Sequence, residues 1–135
     1  MNYQVKLFSW QNNGPCLIIM TQGRMDRSAI LRVVNEIIEA TKALEGCKIL
    51  IDFQNTICDF GRDDLFKLKV ELEIYRQTAM GNLRLAMVTA RIPEQYDRLS
   101  LLKTPVSQLG IDVGVFYEER CAIDWLVEEP SQRVS

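Results

Sequence analysis

Apolar and polar residues change their spacing several times along this 135-residue chain, and each change marks an element. Residues 3–10 alternate, with Tyr3, Val5 and Leu7 set against Gln4 and Lys6, which predicts a half-exposed strand. Asn12-Asn13-Gly14-Pro15 is a dense turn signal, and residues 16–21 return as a nearly continuous apolar strand, so a hairpin is expected. Gly23 is expected to end that strand, and Asp26 to cap the helix that follows. Ile30, Val33, Val34, Ile37, Ile38, Thr41 and Leu44 then share one helical face, opposite Arg27, Arg32, Asn35, Glu36, Glu39 and Lys42, until Gly46 stops the pattern.

Residues 48–53 form a short aliphatic run of the kind covered on both sides of a sheet. A loop over 54–61 leads to a second helix written by Leu65, Leu68, Leu72, Tyr75 and Ala79, with Asp63 or Asp64 at its start and Gly81 at its stop. The charges Lys67, Lys69, Glu71, Glu73 and Arg76 mark its other side as a solvated surface. Residues 83–89 predict another interior strand. Pro93 suits a first helical turn, Tyr96, Leu99 and Leu102 supply an inward stripe, and Pro105 is expected to end or kink that helix. A strand over 113–117 and a short helix carrying Ala122, Trp125 and Leu126 complete the order ββαβαβαβα. Strands joined by crossover helices imply one α/β domain over residues 1–135, its mixed sheet of about five strands mostly parallel, with an N-terminal hairpin and about four helices.

Composition narrows the chemistry. Hydrophobic residues make up 47% of the chain and charged residues 25%, an ordinary globular balance that allows a core without disulfides or a structural metal. Sixteen basic against eighteen acidic residues leave a net charge of -2, without the electropositive footprint of a nucleic-acid binder. There is no histidine, which removes Ser-His-Asp and Cys-His pairs and most zinc or non-haem iron sites. Cys16, Cys47, Cys58 and Cys121 form no CxxC pair and each lies in or beside an apolar segment, so they are expected to be reduced and to pack as small hydrophobes. The N-terminal residues lack the layout of a signal peptide, and no apolar run is long enough for a membrane span, so a cytoplasmic protein without stable membrane insertion is expected.

In a parallel sheet, ligands bind beyond the carboxyl ends of the strands, which directs attention to the segments after Phe53, Thr89 and Tyr117. None carries a GxGxxG or Walker loop, and Thr21-Gln22-Gly23 lacks the carboxylate pair of a phospho-receiver domain; no cofactor or metal is expected. Asp52 and Asp59 are the candidate acid/base pair. The favoured alternative is that Asp52 accepts from neighbouring loop amides while Asp59 orients the loop or caps the next helix. The aromatic residues are spread through the chain and most occupy stripe positions, which makes them core residues first and walls of an apolar pocket second.

Three segments together resemble the STAS fold of the anti-sigma-factor antagonists and their SpoIIAA-like relatives. They are Gly23-Arg24-Met25-Asp26, Ile49-Leu50-Ile51-Asp52-Phe53 with the helix beginning near Asp63, and Val115-Phe116 followed by Ala122 and Trp125-Leu126. The last segment is closest to the SpoIIAA-like branch, whose fold is similar to that of CRAL-TRIO lipid carriers. In regulatory STAS proteins a serine or threonine after the aspartate of this loop is phosphorylated. Here Asp59 and Gly61 match, but Phe60 stands where the hydroxyl belongs, and Thr56 is the nearest alternative.

The resemblance implies a non-enzymatic binding or regulatory module acting on a protein partner through Thr56, Asp59, Phe60, Gly61, Arg62 and Asp63. The alternatives are carriage of a small apolar or lipid-like ligand, and a histidine-free hydrolase or isomerase using Asp52 or Asp59. An exposed edge at the N-terminal strand invites pairing with a second copy, so a homodimer is one expected state.

Overall fold

A computed structural model describes residues 2–10, 14–42, 47–75 and 83–128. The predicted hairpin forms: β1 (Asn2–Trp10) pairs antiparallel with β2 (Gly14–Met25), from Asn2 opposite Gln22 to Trp10 opposite Gly14. β3 (Lys48–Cys58), β4 (Arg84–Thr89) and β5 (Asp112–Phe116) add in parallel, giving the order β1-β2-β3-β4-β5. Parallel neighbours met in sequence order by right-handed crossovers send their connecting helices to one face. That face carries α1 (Arg27–Thr41), α2 (Arg62–Leu72) with a 3-10 turn over Glu73–Tyr75, α3 (Pro93–Ser100) and α4 (Lys103–Ser107). Their apolar sides join Leu17, Ile19, Ile49, Ile51, Phe53, Leu85 and Met87 in the main core. α5 (Glu119–Leu126) takes the opposite face, where Ala122 and Leu126 cover Leu50, Ala86 and Val88.

Local chemistry explains the boundaries. Asp26 caps α1 as expected, its Oδ1 accepting from the Ala29 amide at 2.9 Å, a contact typically contributing about 1 kcal/mol. Pro105 divides the predicted third helix in two. It lacks the N–H that would bond the Leu101 carbonyl, so α3 closes at Ser100 and α4 restarts with Pro105 in its first turn, where no donor is required. Gly46 and Gly81, the expected helix stops, lie outside the described residues, as do Leu44, Arg76, Ala79 and the Asn12-Asn13 part of the hairpin turn.

The loop expected over 54–61 is mostly strand. β2 continues past Gly23 to Met25, and β3 continues past Phe53 to Cys58. Gly23 adopts φ +106° inside the strand, a region other residues rarely enter, so it bends the strand rather than ending it. Between Met20–Asp52 and Gln22–Asn55 the register shifts, because two residues of β3 oppose one of β2. This bulge reverses the alternation: Ile49, Ile51 and Phe53 face the core before it, Thr56 and Cys58 after it. Polar side chains satisfy the disturbed backbone. Asp52 Oδ1 accepts from the Gln54 amide at 2.9 Å, and Thr21 Oγ1 donates to the Asp52 carbonyl at 3.1 Å while bonding the Thr56 hydroxyl.

Arg84, at the start of β4, anchors α5 from below. Its Nη1 donates to the Glu128 carbonyl at 2.6 Å and to that of Leu126 at 3.4 Å, and its guanidinium lies 4.3 Å from the Trp125 ring centroid. A cation at a helix C-terminus complements the partial negative charge of the last carbonyls.

Candidate functional site

α1, α2, α3 and α5 each follow a parallel strand and so begin at the carboxyl end of the sheet, where candidate chemistry collects. At the exits of β2 and β3 the chain is tied down from three sides. The Asp59 amide donates to the Met25 carbonyl at 2.9 Å, the Cys58 amide to Gln95 Oε1 at 2.8 Å, and Arg98 Nη1 to the Phe60 carbonyl at 3.3 Å. Gly61 occupies the cap position of α2. Its amide donates to Asp64 Oδ2 at 2.9 Å, so Asp64, rather than Asp59, closes the helix start. Arg27 reaches across from α1 to Glu71 at 3.0 Å and to Asp64 at 3.8 Å.

This geometry sorts the six predicted site residues. Asp59, Gly61, Arg62 and Asp63 are exposed. Phe60 is 4% exposed and belongs to the core, and Thr56, 5% exposed, is engaged with Thr21. Those two support the turn from beneath instead of facing outward: the bulge set the parity of Thr56, and an aromatic ring beside a core edge is driven inward by its apolar area. Asp52 plays the expected amide-accepting role, and Asp59 pairs with Arg24 at 3.3 Å on open surface. Cys58 lies under the same turn, and burial pushes its thiol up to about 11, partly offset by Arg98. Cys16 is likewise raised to about 12, chiefly by burial, and Cys47 is raised for the same reason.

The exits of β4 and β5 are arranged differently. The helix after β4 goes to the main face and the helix after β5 to the other, so the two exits diverge and leave a crevice between them. This open cleft, about 590 Å³ in volume, is lined by Arg91, Pro93, Tyr96, Val115, Phe116, Tyr117, Glu118 and Cys121. Tyr96 and Tyr117 stack with centroids 4.6 Å apart, and Arg91 pairs with Glu118 at the rim. Cys121 therefore departs from the expectation of four buried cysteines: it is exposed on α5, while the other three are buried. Position after Thr89 and Tyr117 was the sequence signal for this region, but the stacking of Tyr96, placed in the inward stripe, was not visible there. The main core itself holds a cavity of only about 30 Å³ between α1, α4 and the sheet, far below the few hundred Å³ of a typical ligand pocket.

α2 presents a further feature that the charge pattern concealed. Phe66, Val70 and Ile74 are 71%, 61% and 72% exposed on the side away from Leu68 and Leu72. Their i, i+4, i+8 spacing was the available signal.

Among the described residues, no cluster of three acidic or cysteine side chains could hold a metal ion, and no helix is long and apolar enough to cross a membrane. No protein-family model and no curated protein matches the sequence. Among solved structures, the chain is similar to an uncharacterised protein of the DUF3478 family with a SpoIIAA-like fold from Shewanella loihica. The two are 16% identical, with a TM-score of 0.53 over 92% of this chain and 93% of the other.

Proposed function

We propose that this SpoIIAA-like fold works as a non-enzymatic binding or regulatory module that engages a protein partner through residues 59–63 and the first turn of α2. The supporting observation is a turn whose backbone is held by three hydrogen bonds, to the Met25 carbonyl, to the Gln95 side chain and from the Arg98 guanidinium, and that still displays Asp59, Gly61, Arg62 and Asp63. A surface ordered before contact loses little conformational freedom on binding. Mixed charge at its rim supplies specificity for a partner of opposite pattern. Phosphoryl transfer to this turn has no part in the proposal, because Phe60 offers no acceptor oxygen and the Thr56 hydroxyl lies beneath, bonded to Thr21.

The test is affinity capture with the native chain and with an Asp59→Lys, Arg62→Glu, Asp63→Lys triple variant, followed by titration of each purified partner recovered. Loss of at least tenfold in affinity is expected for the variant. Equal affinity for every partner would remove the turn from the interface.

A second reading, a small flat apolar ligand, is favoured by the cleft that the stacked Tyr96 and Tyr117 line together with Phe116, whose volume lies within the usual range for ligand sites. Native mass spectrometry of freshly purified protein, joined to thermal shifts across aromatic and fatty acids, addresses it. An apo mass with no shift would dispose of it.

A further inference from the structure

α2 is apolar on two opposite sides. Leu68 and Leu72 are buried in the core, whereas the row Phe66, Val70, Ile74 stands in solvent, Ile74 on the 3-10 turn that prolongs the helix. Charges flank that row in a particular order. Lys67 and Glu71 lie along the side nearer α1, where Arg27 holds Glu71, and Lys69 and Glu73 lie along the other. Within one helix each pair places lysine four residues before glutamate, the weaker of the two orders for intrahelical pairing.

We infer that the row is the seat of a second copy of this chain, its α2 packed antiparallel about a two-fold axis at Val70. Phe66 then meets the second copy's Ile74, and Val70 meets its own counterpart. A two-fold of this kind keeps each flank on its own side. Lys67 of one copy therefore lies about 3 Å along the axis from Glu71 of the other, and Lys69 lies the same distance from Glu73. Each flank then makes two lysine–glutamate contacts that bracket one like contact at the axis, Glu71 with its counterpart on one side and Lys69 with its counterpart on the other. Unlike contacts outnumber like ones and the two-fold repeats them, as an isologous interface requires. A parallel packing brings Lys67 beside Lys69 and Glu71 beside Glu73, and loses this matching.

The size of the contact sets its strength. α2 and its 3-10 turn span roughly 20 Å and present a face roughly 10–12 Å wide, a footprint of about 200–250 Å² per copy. A stable interface buries about 800 Å² per partner, so the pairing is reversible and concentration-dependent. It does not rest on the proposed role of residues 59–63.

Sedimentation equilibrium of the full chain from roughly ten micromolar to one millimolar tests the inference. The native chain is expected to pass from monomer to dimer over this range. Val70→Glu, which sets two carboxylates against each other on the axis, is expected to stay monomeric with an unchanged circular dichroism spectrum. Lys69→Glu should weaken the dimer about tenfold, and the double variant Lys69→Glu, Glu73→Lys should restore it. In a Cys121→Ser background, Val70→Cys should form a disulfide-linked dimer on mild oxidation, whereas Lys6→Cys on the edge strand should not. A monomer throughout, or a dimer indifferent to Val70→Glu, overturns the inference; cross-linking through residue 6 instead would assign the contact to the edge of β1. The Asp59, Arg62, Asp63 triple variant should dimerise normally, so failure of the partner-binding turn and failure of the α2 contact are read separately.

Discussion

The carboxyl end of the sheet contains two kinds of strand exit. β2 and β3 are followed by helices on the same face; their exits lie side by side and are joined by the Asp59–Met25 backbone bond, with Phe60 beneath. β4 and β5 are followed by helices on opposite faces, and their exits part around the Tyr96–Tyr117 stack. One region displays polar residues over the buried Phe60 ring, the other is an open cleft lined by aromatic rings. The difference arises from helix placement rather than local composition. Under the proposed function, the first is the surface offered to a protein partner and the second the one offered to a small molecule.

The largest expected effect comes from removing the floor of the closed exit. Phe60→Ala should lower stability by about 3–5 kcal/mol in urea unfolding, because a large buried ring leaves a cavity that its neighbours only partly fill. A loss under about 1 kcal/mol would show that the turn is not supported from beneath.

Thiol chemistry separates the two exits directly. Cys121 in the open crevice should be alkylated by iodoacetamide first, with Cys58 under the closed turn protected until the chain unfolds. The same burial has a pH signature. Cys16 and Cys58 titrate near 12 and 11 when folded against an ordinary 9.0, so above pH 9 the unfolded chain loses their protons before the folded one. Stability should therefore fall as pH rises from 9 towards 11 or 12, by up to about 1.4 kcal/mol per thiol per unit. Chemical denaturation at pH 8 and pH 10 checks this, and equal midpoints would contradict the burial of these thiols.

Gly114→Ala sharpens the open side. A Cβ there meets the Phe116 ring at 2.8 Å and Trp125 at 3.4 Å, so the aromatic pair that joins β5 to α5 must shift. A cost of about 1–3 kcal/mol and altered tryptophan fluorescence are expected. Arg24→Ala should have the smallest effect, within about 0.5 kcal/mol, because its bond to Asp59 lies on open surface. A larger loss in thermal unfolding would make this pair part of what closes the exit.

Much of this architecture was legible from spacing. The α1 stripe from Ile30 to Thr41, the Asp26 cap and the β1–β2 hairpin follow directly from periodicity and turn chemistry. The strand ends were less legible. Polar Gln54, Asn55 and Thr56 resemble a loop, yet Thr56 turns inward because a bulge reverses the alternation and Thr21 supplies its partner from another strand. On α2, alternating charges masked Phe66, Val70 and Ile74, since a mixed face reads as solvated whatever lies between its charges.

By itself the sequence determined the kinds of element, their order, the parallel character of the sheet and the absence of imidazole chemistry, all of which depend on residue type and short-range period. Only the tertiary structure decided that Phe60 and Thr56 face inward, that α5 crosses to the second face and opens the crevice, and that α2 leaves an apolar row uncovered. Those outcomes depend on register and on which face a helix takes. Both are settled by packing between segments far apart in the chain, beyond the reach of any local pattern.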